Sequence, residues 1–283
     1  MEKKLYIGAH SSISMGYLMA LKNIDSIGGN SVQIFLKNPR GRSGKPVNQK
    51  DAKEALSFLK EKKMFLVGHC SYLLNFAKNP KEYSWSIESL IDDLKRIDQL
   101  GGRGVVLHIG KYLDMTKQIA YKNIVDSVNL VLARTPKNTK VIFENTAGQG
   151  TEIGYKFSEL KEIYNLFNNE QKKRITFCID TCHSHAAGYD LSTKSGVLNW
   201  IRDFENNIGI EKIDCIHLND SQRDAGSKID RHEDLTFGKI GKIGLIEIVN
   251  FAKNKNIPLI LETPTRNLSY SKQIEMIKNN FRD

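Results

Sequence analysis

The chain is poor in the features that mark specialised protein classes. Its 283 residues contain four cysteines, Cys70, Cys178, Cys182 and Cys215, with no Cys-x-x-Cys pair. That is too few for a disulfide scaffold and fits a reducing compartment with small buried thiols. Six prolines and no low-complexity block leave no composition-marked linker between domains. No apolar run approaches the roughly 20 residues that span a bilayer, and Met1–Ile7 lacks the apolar stretch of a secretory signal. An intracellular, soluble protein is expected, cytoplasmic in a bacterium and otherwise nuclear or viral. Acidic side chains are outnumbered, 32 against 42 Lys and Arg, for a formal net charge of +10. Such a balance attracts polyanions, although the Lys, Asn and Ile richness of the whole chain also fits a genomic base bias.

What is present is a repeated alternation. Short, β-branched, continuously apolar runs occur at 5–10, 31–36, 64–69, 104–108, 140–145, 175–180, 213–219 and 258–262. Continuous apolarity suits parallel strands buried on both faces. Amphipathic stretches lie between them. The clearest places Ile87, Leu90, Ile91, Leu94 and Ile97 on one helical face. Others run near 16–27, 117–132, 197–204, 245–253 and 272–279, with Asn48 and Ser158 as expected N-caps and Gly28-Gly29 and Gly101-Gly102 as helix stops. Eight strands alternating with about eight helices predict a single α/β domain over residues 1–283, a closed (β/α)8 TIM barrel. An open doubly wound sheet is the alternative.

In such a barrel the site lies at the C-terminal ends of the strands. Those ends carry His10, His69, His108, Glu144, Asp180, His217 and Glu262; only the second, Leu36-Lys37-Asn38, has no imidazole or carboxylate. Asp180 and His183 lie three apart as their strand turns into a loop, and Asp230 and His232 share one side of an extended segment. Taken singly, a histidine after a strand is usually structural, and Asp230-Arg231-His232 would be a solvated loop. Together they converge on one pocket. Mixed imidazole and carboxylate suits Zn²⁺, with Mn²⁺ or Fe²⁺ as alternatives, better than Mg²⁺. The set is too large for one tetrahedral ion, so it predicts a cluster with bridging carboxylates. A cluster beside a basic groove suits phosphate-ester hydrolysis. A sugar isomerase or epimerase and a non-enzymatic DNA-binding protein are the rival classes.

These residues carry a resemblance. Gly8-Ala9-His10, His69-Cys70-Ser71-Tyr72-Leu73-Leu74-Asn75, Glu144-Asn145-Thr146-Ala147-Gly148-Gln149-Gly150 and Cys178-Ile179-Asp180-Thr181-Cys182-His183 are similar to segments of the endonuclease IV family of abasic-site endonucleases. So are Ala186-Ala187-Gly188-Tyr189-Asp190, His217-Leu218-Asn219-Asp220-Ser221, Asp230-Arg231-His232 and Glu262-Thr263-Pro264. The likeness runs from end to end.

The resemblance implies a trinuclear zinc site. His69, His108 and Glu144 would hold one ion, Glu144 with Asp180, His217 and Glu262 the second, and His183, Asp230 and His232 the third. It implies DNA repair by cleavage of the phosphodiester 5′ of an abasic site, with a zinc-activated hydroxide as nucleophile and removal of 3′ blocks as a second activity. Glu262 and Glu144 would be catalytic, and His10 would give a supporting hydrogen bond. The partner would be double-stranded DNA, contacted by Arg40, Tyr72 and Leu73, and the chain would act as a monomer. Departures from the family pattern are Gly41-Arg42-Ser43-Gly44, where a bulky aromatic is usual, Gln222 for a Lys, Thr236-Phe237 for Gly-Glu, and His185 for an apolar residue.

Overall fold

A computed structural model describes residues 4–39, 41 and 44–281; Arg40, Arg42 and Ser43 lie outside the described residues. Eight parallel strands close into a barrel. They are β1 (Ile7–Ser11), β2 (Ser31–Phe35), β3 (Phe65–His69), β4 (Gly104–His108), β5 (Lys140–Glu144), β6 (Ile175–Asp180), β7 (Ile213–His217) and β10 (Leu259–Leu261). Each neighbour along the chain is a neighbour in the barrel, and β1 closes it against β10 through Ile7–Leu259 and Ala9–Leu261. All eight apolar runs of the sequence are therefore strands of the expected barrel. A two-stranded antiparallel ribbon, β8 (Asp220–Ser221) with β9 (His232–Glu233), rises from the loop after β7.

The helices form the outer ring: α1 (Tyr17–Ser26), α2 (Gln49–Lys62), α3 (Ser84–Gln99), α4 (Lys117–Ala133), α5 (Phe157–Asn165), α6 (Asn169–Lys172), α7 (Thr181–Ala186), α8 (Lys194–Asn207), α9 (Gly241–Lys255) and α10 (Tyr270–Lys278). On α3 the expected stripe of Ile87, Leu90, Ile91, Leu94 and Ile97 is buried. Asn48 caps α2 by accepting from Lys50 and Asp51 N–H, as the sequence predicts. Ser158 does not cap α5. Lys156 holds that position without a side-chain bond, and Ser158 lies inside the first turn. Buried Phe157 draws the chain into the helix, so that α5 begins at Phe157 and not at Glu159, and Glu159 accepts the Gly154 N–H through its side chain. The segment after β6 is also helical where a loop was expected. Asp180 accepts the His183 N–H and nucleates α7.

Strand alternation sorts the core into two clusters. Outward residues such as Leu66, Val105, Leu107, Phe143, Phe177 and Leu259 pack under the helices in the large one. Val67, Val106, Ile142, Cys178, Cys215 and Ile260 form a separate small cluster that plugs the barrel interior. Because side chains on a strand repeat every second residue, the residues two further on face the same axis. Those are His69, His108, Glu144, Asp180, His217 and Glu262. The apolar plug is thus the floor of a polar mouth.

Candidate metal centre at the barrel mouth

Glu144, on β5, sits at the centre of the mouth and is fully buried. One oxygen, Oε2, lies 3.2 Å from His69 Nε2 and 2.9 Å from His108 Nε2. The other, Oε1, lies 2.9 Å from His217 Nδ1 and 3.4 Å from His183 Nδ1. His217 Nδ1 is also 3.1 Å from Glu262 Oε2 and 3.9 Å from Asp180 Oδ2. Across the mouth, Asp230 stands 3.3 Å from both His183 Nε2 and His232 Nε2, and Asp180 Oδ2 is 3.7 Å from His232 Nε2.

Three contiguous ligand groups result: His69, His108 and Glu144; Glu144, Asp180, His217 and Glu262; and His183, Asp230 and His232. Within each, the ligand atoms lie within 4.8 Å of one another. The nine residues singled out as ligands therefore meet in one place. Cys178 and Cys215 lie just below, close enough to His217 to group with it. Burial holds the Cys178 thiol well above its ordinary range, so it stays a thiol in the floor.

The remaining ring nitrogens are aimed by acceptors. His69 Nδ1 is 2.8 Å from the Cys70 carbonyl, His183 Nδ1 is 2.9 Å from that of Asn145, and His232 Nδ1 is 3.2 Å from that of Glu262. His217 Nε2 is 2.7 Å from Gln33 Oε1. Each ring is thereby turned with its other nitrogen toward the centre, a common arrangement around metal-binding histidines. Two buried amides complete the frame. Asn219 donates to Asp180 Oδ2 at 2.7 Å and accepts the Glu262 N–H at 2.9 Å, while Asn145 accepts the Asp180 N–H at 2.8 Å.

Charge follows geometry. Burial opposes ionisation of Glu144 and Glu262, yet His108 and His217 around the first, and His217 beside the second, hold both carboxyls below the usual range. Burial likewise opposes charge on His232, but Asp180 and Asp230 push it up to about 9. His10 differs: burial dominates and pulls it down to about 4, so it is a neutral ring. It packs on Phe35, with centroids 4.5 Å apart, and belongs to no ligand group.

The rim is formed by the loops after β2 and β3. Tyr72 and Leu73 are 61% and 46% exposed, and the Tyr72 ring lies edge-on to Phe35 with centroids 5.2 Å apart. The Arg40 side chain lies outside the described residues. Lys37 opens its loop but turns inward, donating to the Ser89 carbonyl at 2.8 Å and facing Asp92 and Asp93 of α3 at 3.3 and 3.2 Å. Ser71 donates to the Pro39 carbonyl at 2.5 Å, joining the two loops. His185 points away from the centre and accepts the Leu191 N–H. Gln222 bonds the His232 carbonyl at 3.0 Å, and Phe237 is exposed.

One buried carboxylate ties the last loop to the ribbon. Asp234, next to β9, accepts backbone N–H bonds from Thr265, Asn267 and Leu268 at 2.7, 2.5 and 3.1 Å.

Gln33 is the residue that sequence reasoning missed. It lies on the one strand whose end lacks an imidazole or carboxylate, and a lone Gln in an apolar strand carries no ligand signal. Its inward position and its register against His10 would have pointed to it.

A closed parallel barrel with a cluster of side chains that could hold metal over an apolar plug defines a TIM-barrel protein with a candidate metal centre at its mouth. A family profile described as the xylose isomerase-like TIM barrel matches residues 21–280. The chain is 38% identical to the putative endonuclease 4 of Acanthamoeba polyphaga mimivirus, over 96% of this chain and 92% of that one. It is 36% identical to the probable endonuclease 4 of Clostridium beijerinckii, over 99% and 100%. The crystal structure of endonuclease IV from Thermus thermophilus superposes with a TM-score of 0.85 at 28% identity, covering 97% of this chain and 98% of that one. The chain belongs to the endonuclease IV family.

Proposed function

We propose that this chain is a DNA-repair endonuclease that hydrolyses the phosphodiester on the 5′ side of abasic sites, leaving a 3′-hydroxyl and a 5′-deoxyribose phosphate, and that it also removes blocking groups from 3′ ends. The observation that carries the reading is the sharing of Glu144 between two of three adjoining ligand groups. A single carboxylate with two oxygens aimed at different histidine sets is the chemistry of a bridging ligand. The residues fit metal in a further respect. His232 Nε2 is buried and makes no hydrogen bond, although Asp230 and Asp180 lie within 4 Å of it.

In this reading the three groups hold three Zn²⁺ ions, with Mn²⁺ or Fe²⁺ as substitutes. Bound zinc supplies a water acidified to near neutral pH and positive charge for the phosphate oxygens. The protein does the rest. Glu262 orients the attacking water and takes its proton, and Glu144 keeps the ligand groups in register. Asp230, His183 and His232 face the leaving oxygen. Tyr72, Leu73 and Arg40 engage the duplex, whose abasic nucleotide leaves the stack at low cost. The excess of Lys and Arg favours the polyanionic substrate. The chain acts alone, as one barrel.

The test is elemental analysis of the purified protein together with cleavage of an abasic duplex, an intact duplex and simple sugars. Three zinc ions per chain and incision confined to the abasic strand are expected. A single ion, strict Mg²⁺ dependence, or turnover of sugar without incision overturns the reading.

A further inference from the structure

We propose that Gln33 is a positioning residue of this centre: its carboxamide fixes the His217 ring and steers the Glu262 carboxylate in a single contact network. The inference rests on the reading of His217 and Glu262 as metal ligands in a phosphodiester-cleaving site.

Gln33 is fully buried on β2 and contacts His217 of β7 and Glu262 after β10. Three of the ligand imidazoles have their outer nitrogen held by backbone carbonyls, those of Cys70, Asn145 and Glu262. Backbone acceptors come with the fold. His217 alone relies on a side chain, Gln33 Oε1 at 2.7 Å. A carbonyl oxygen only accepts, so the proton sits on His217 Nε2 and Nδ1 is the nitrogen presented to Glu144 and Glu262.

The other end of the same amide is equally committed. Gln33 Nε2 donates to Glu262 Oε1 at 2.5 Å and lies 3.3 Å from His10 Nδ1. Turning the amide over would set its carbonyl against a carboxylate and its NH₂ against an N–H, so the orientation is fixed by its neighbours. With Oε1 of Glu262 tied to Gln33, Oε2 is the oxygen left facing His217 Nδ1. A carboxamide carries a donor and an acceptor on one planar group, so it satisfies both partners at once. A glutamate would repel Glu262, and an aliphatic side chain would strand both buried polar groups. His10 gains a role in the same network, as the neutral ring beside the second amide hydrogen.

The experiment compares Gln33→Met and Gln33→Glu with the parent protein. It reads zinc lost to a chelator, the visible spectrum of the Co²⁺-substituted protein, duplex binding and single-turnover cleavage. Outer hydrogen-bond partners of metal ligands are commonly worth about 10–100-fold in metal affinity or activity. Faster zinc loss, a shifted cobalt spectrum and a cleavage rate lowered by about that factor are therefore expected, with duplex affinity changed less than about threefold. Parental zinc retention, spectrum and rate in Gln33→Met would make the amide a packing group only and overturn the proposal. If Gln33→Met fails to fold, the near-isosteric Gln33→Glu gives the same readouts. If the parent protein incises no abasic DNA, the functional reading fails, but zinc retention and the cobalt spectrum still decide the role of Gln33.

Discussion

At the scale of single residues, Glu262 and Asp93 make opposite demands on their surroundings. Glu262 is held ionised beside His217, and in the proposed mechanism it acts on water. Glu262→Gln keeps the size and removes the charge. It should lower turnover by ~10²-fold or more while leaving duplex binding measurable; near-parental turnover would remove it from the chemistry. Asp93 lies far from that reaction, buried against Lys37, and burial pushes its carboxyl up to about 7. A folded-state pKa raised above the unfolded value means that the folded chain retains the proton. The stabilisation is full below about pH 4 and is lost as pH rises through about 7. Asp93→Asn removes that dependence. Its melting temperature should therefore gain on the parent's between pH 5 and pH 8, by roughly what 2 kcal/mol produces in a chain of this size. A constant difference across that range would show that Asp93 does not take up its proton on folding. The residue scale is also where the sequence was least readable. Six candidate ligands stood out because imidazoles and carboxylates recurring at strand ends need a common explanation, and His183, Asp230 and His232 joined them through close pairing in the chain. Gln33 did not, because its meaning lies in the neighbours that β2 brings to it.

Elements carry these residues to their places, and here sequence and structure agree for a physical reason. Strands buried on both faces must be apolar throughout, so eight such runs alternating with helices favoured a barrel over an open doubly wound sheet, and their two-residue period put a candidate ligand above each floor residue. Local hydrogen bonding was harder to read. Ser158 had the chemistry of a cap, but the burial of Phe157 outweighed it. In the loop after β2 the expected DNA contact, Arg40, lies outside the described residues, while Lys37 turns inward onto α3 and anchors the loop. The loop after β3 is different, since Tyr72 and Leu73 stay exposed at the rim. Tyr72→Ala should weaken binding of an abasic duplex by ~1–3 kcal/mol, the range for losing an aromatic stacking contact. Cleavage of an unpaired abasic single strand should fall much less. Equal losses on both substrates in paired single-turnover assays would mean that Tyr72 only packs on Phe35.

Over the whole molecule, charge and architecture act together. Binding to DNA by a chain with ten more basic than acidic side chains should weaken as salt rises. Removing one phosphate-contacting lysine should flatten the log–log slope by about one for abasic and intact duplex alike; a slope unchanged by every exposed lysine would place the duplex elsewhere. Among the described residues no helix is long and apolar enough to cross a membrane. The Asp234 carboxylate has a consequence at this scale. It fastens the loop that follows Glu262 to the ribbon that carries His232, so the two are expected to open together. Local opening on this side of the barrel is then a single event that withdraws groups from two ligand sets together. In native-state hydrogen exchange, the amides of Thr265, Asn267 and Leu268 should share one opening free energy with those of the ribbon, and Asp234→Ala should split them into two independently exchanging segments.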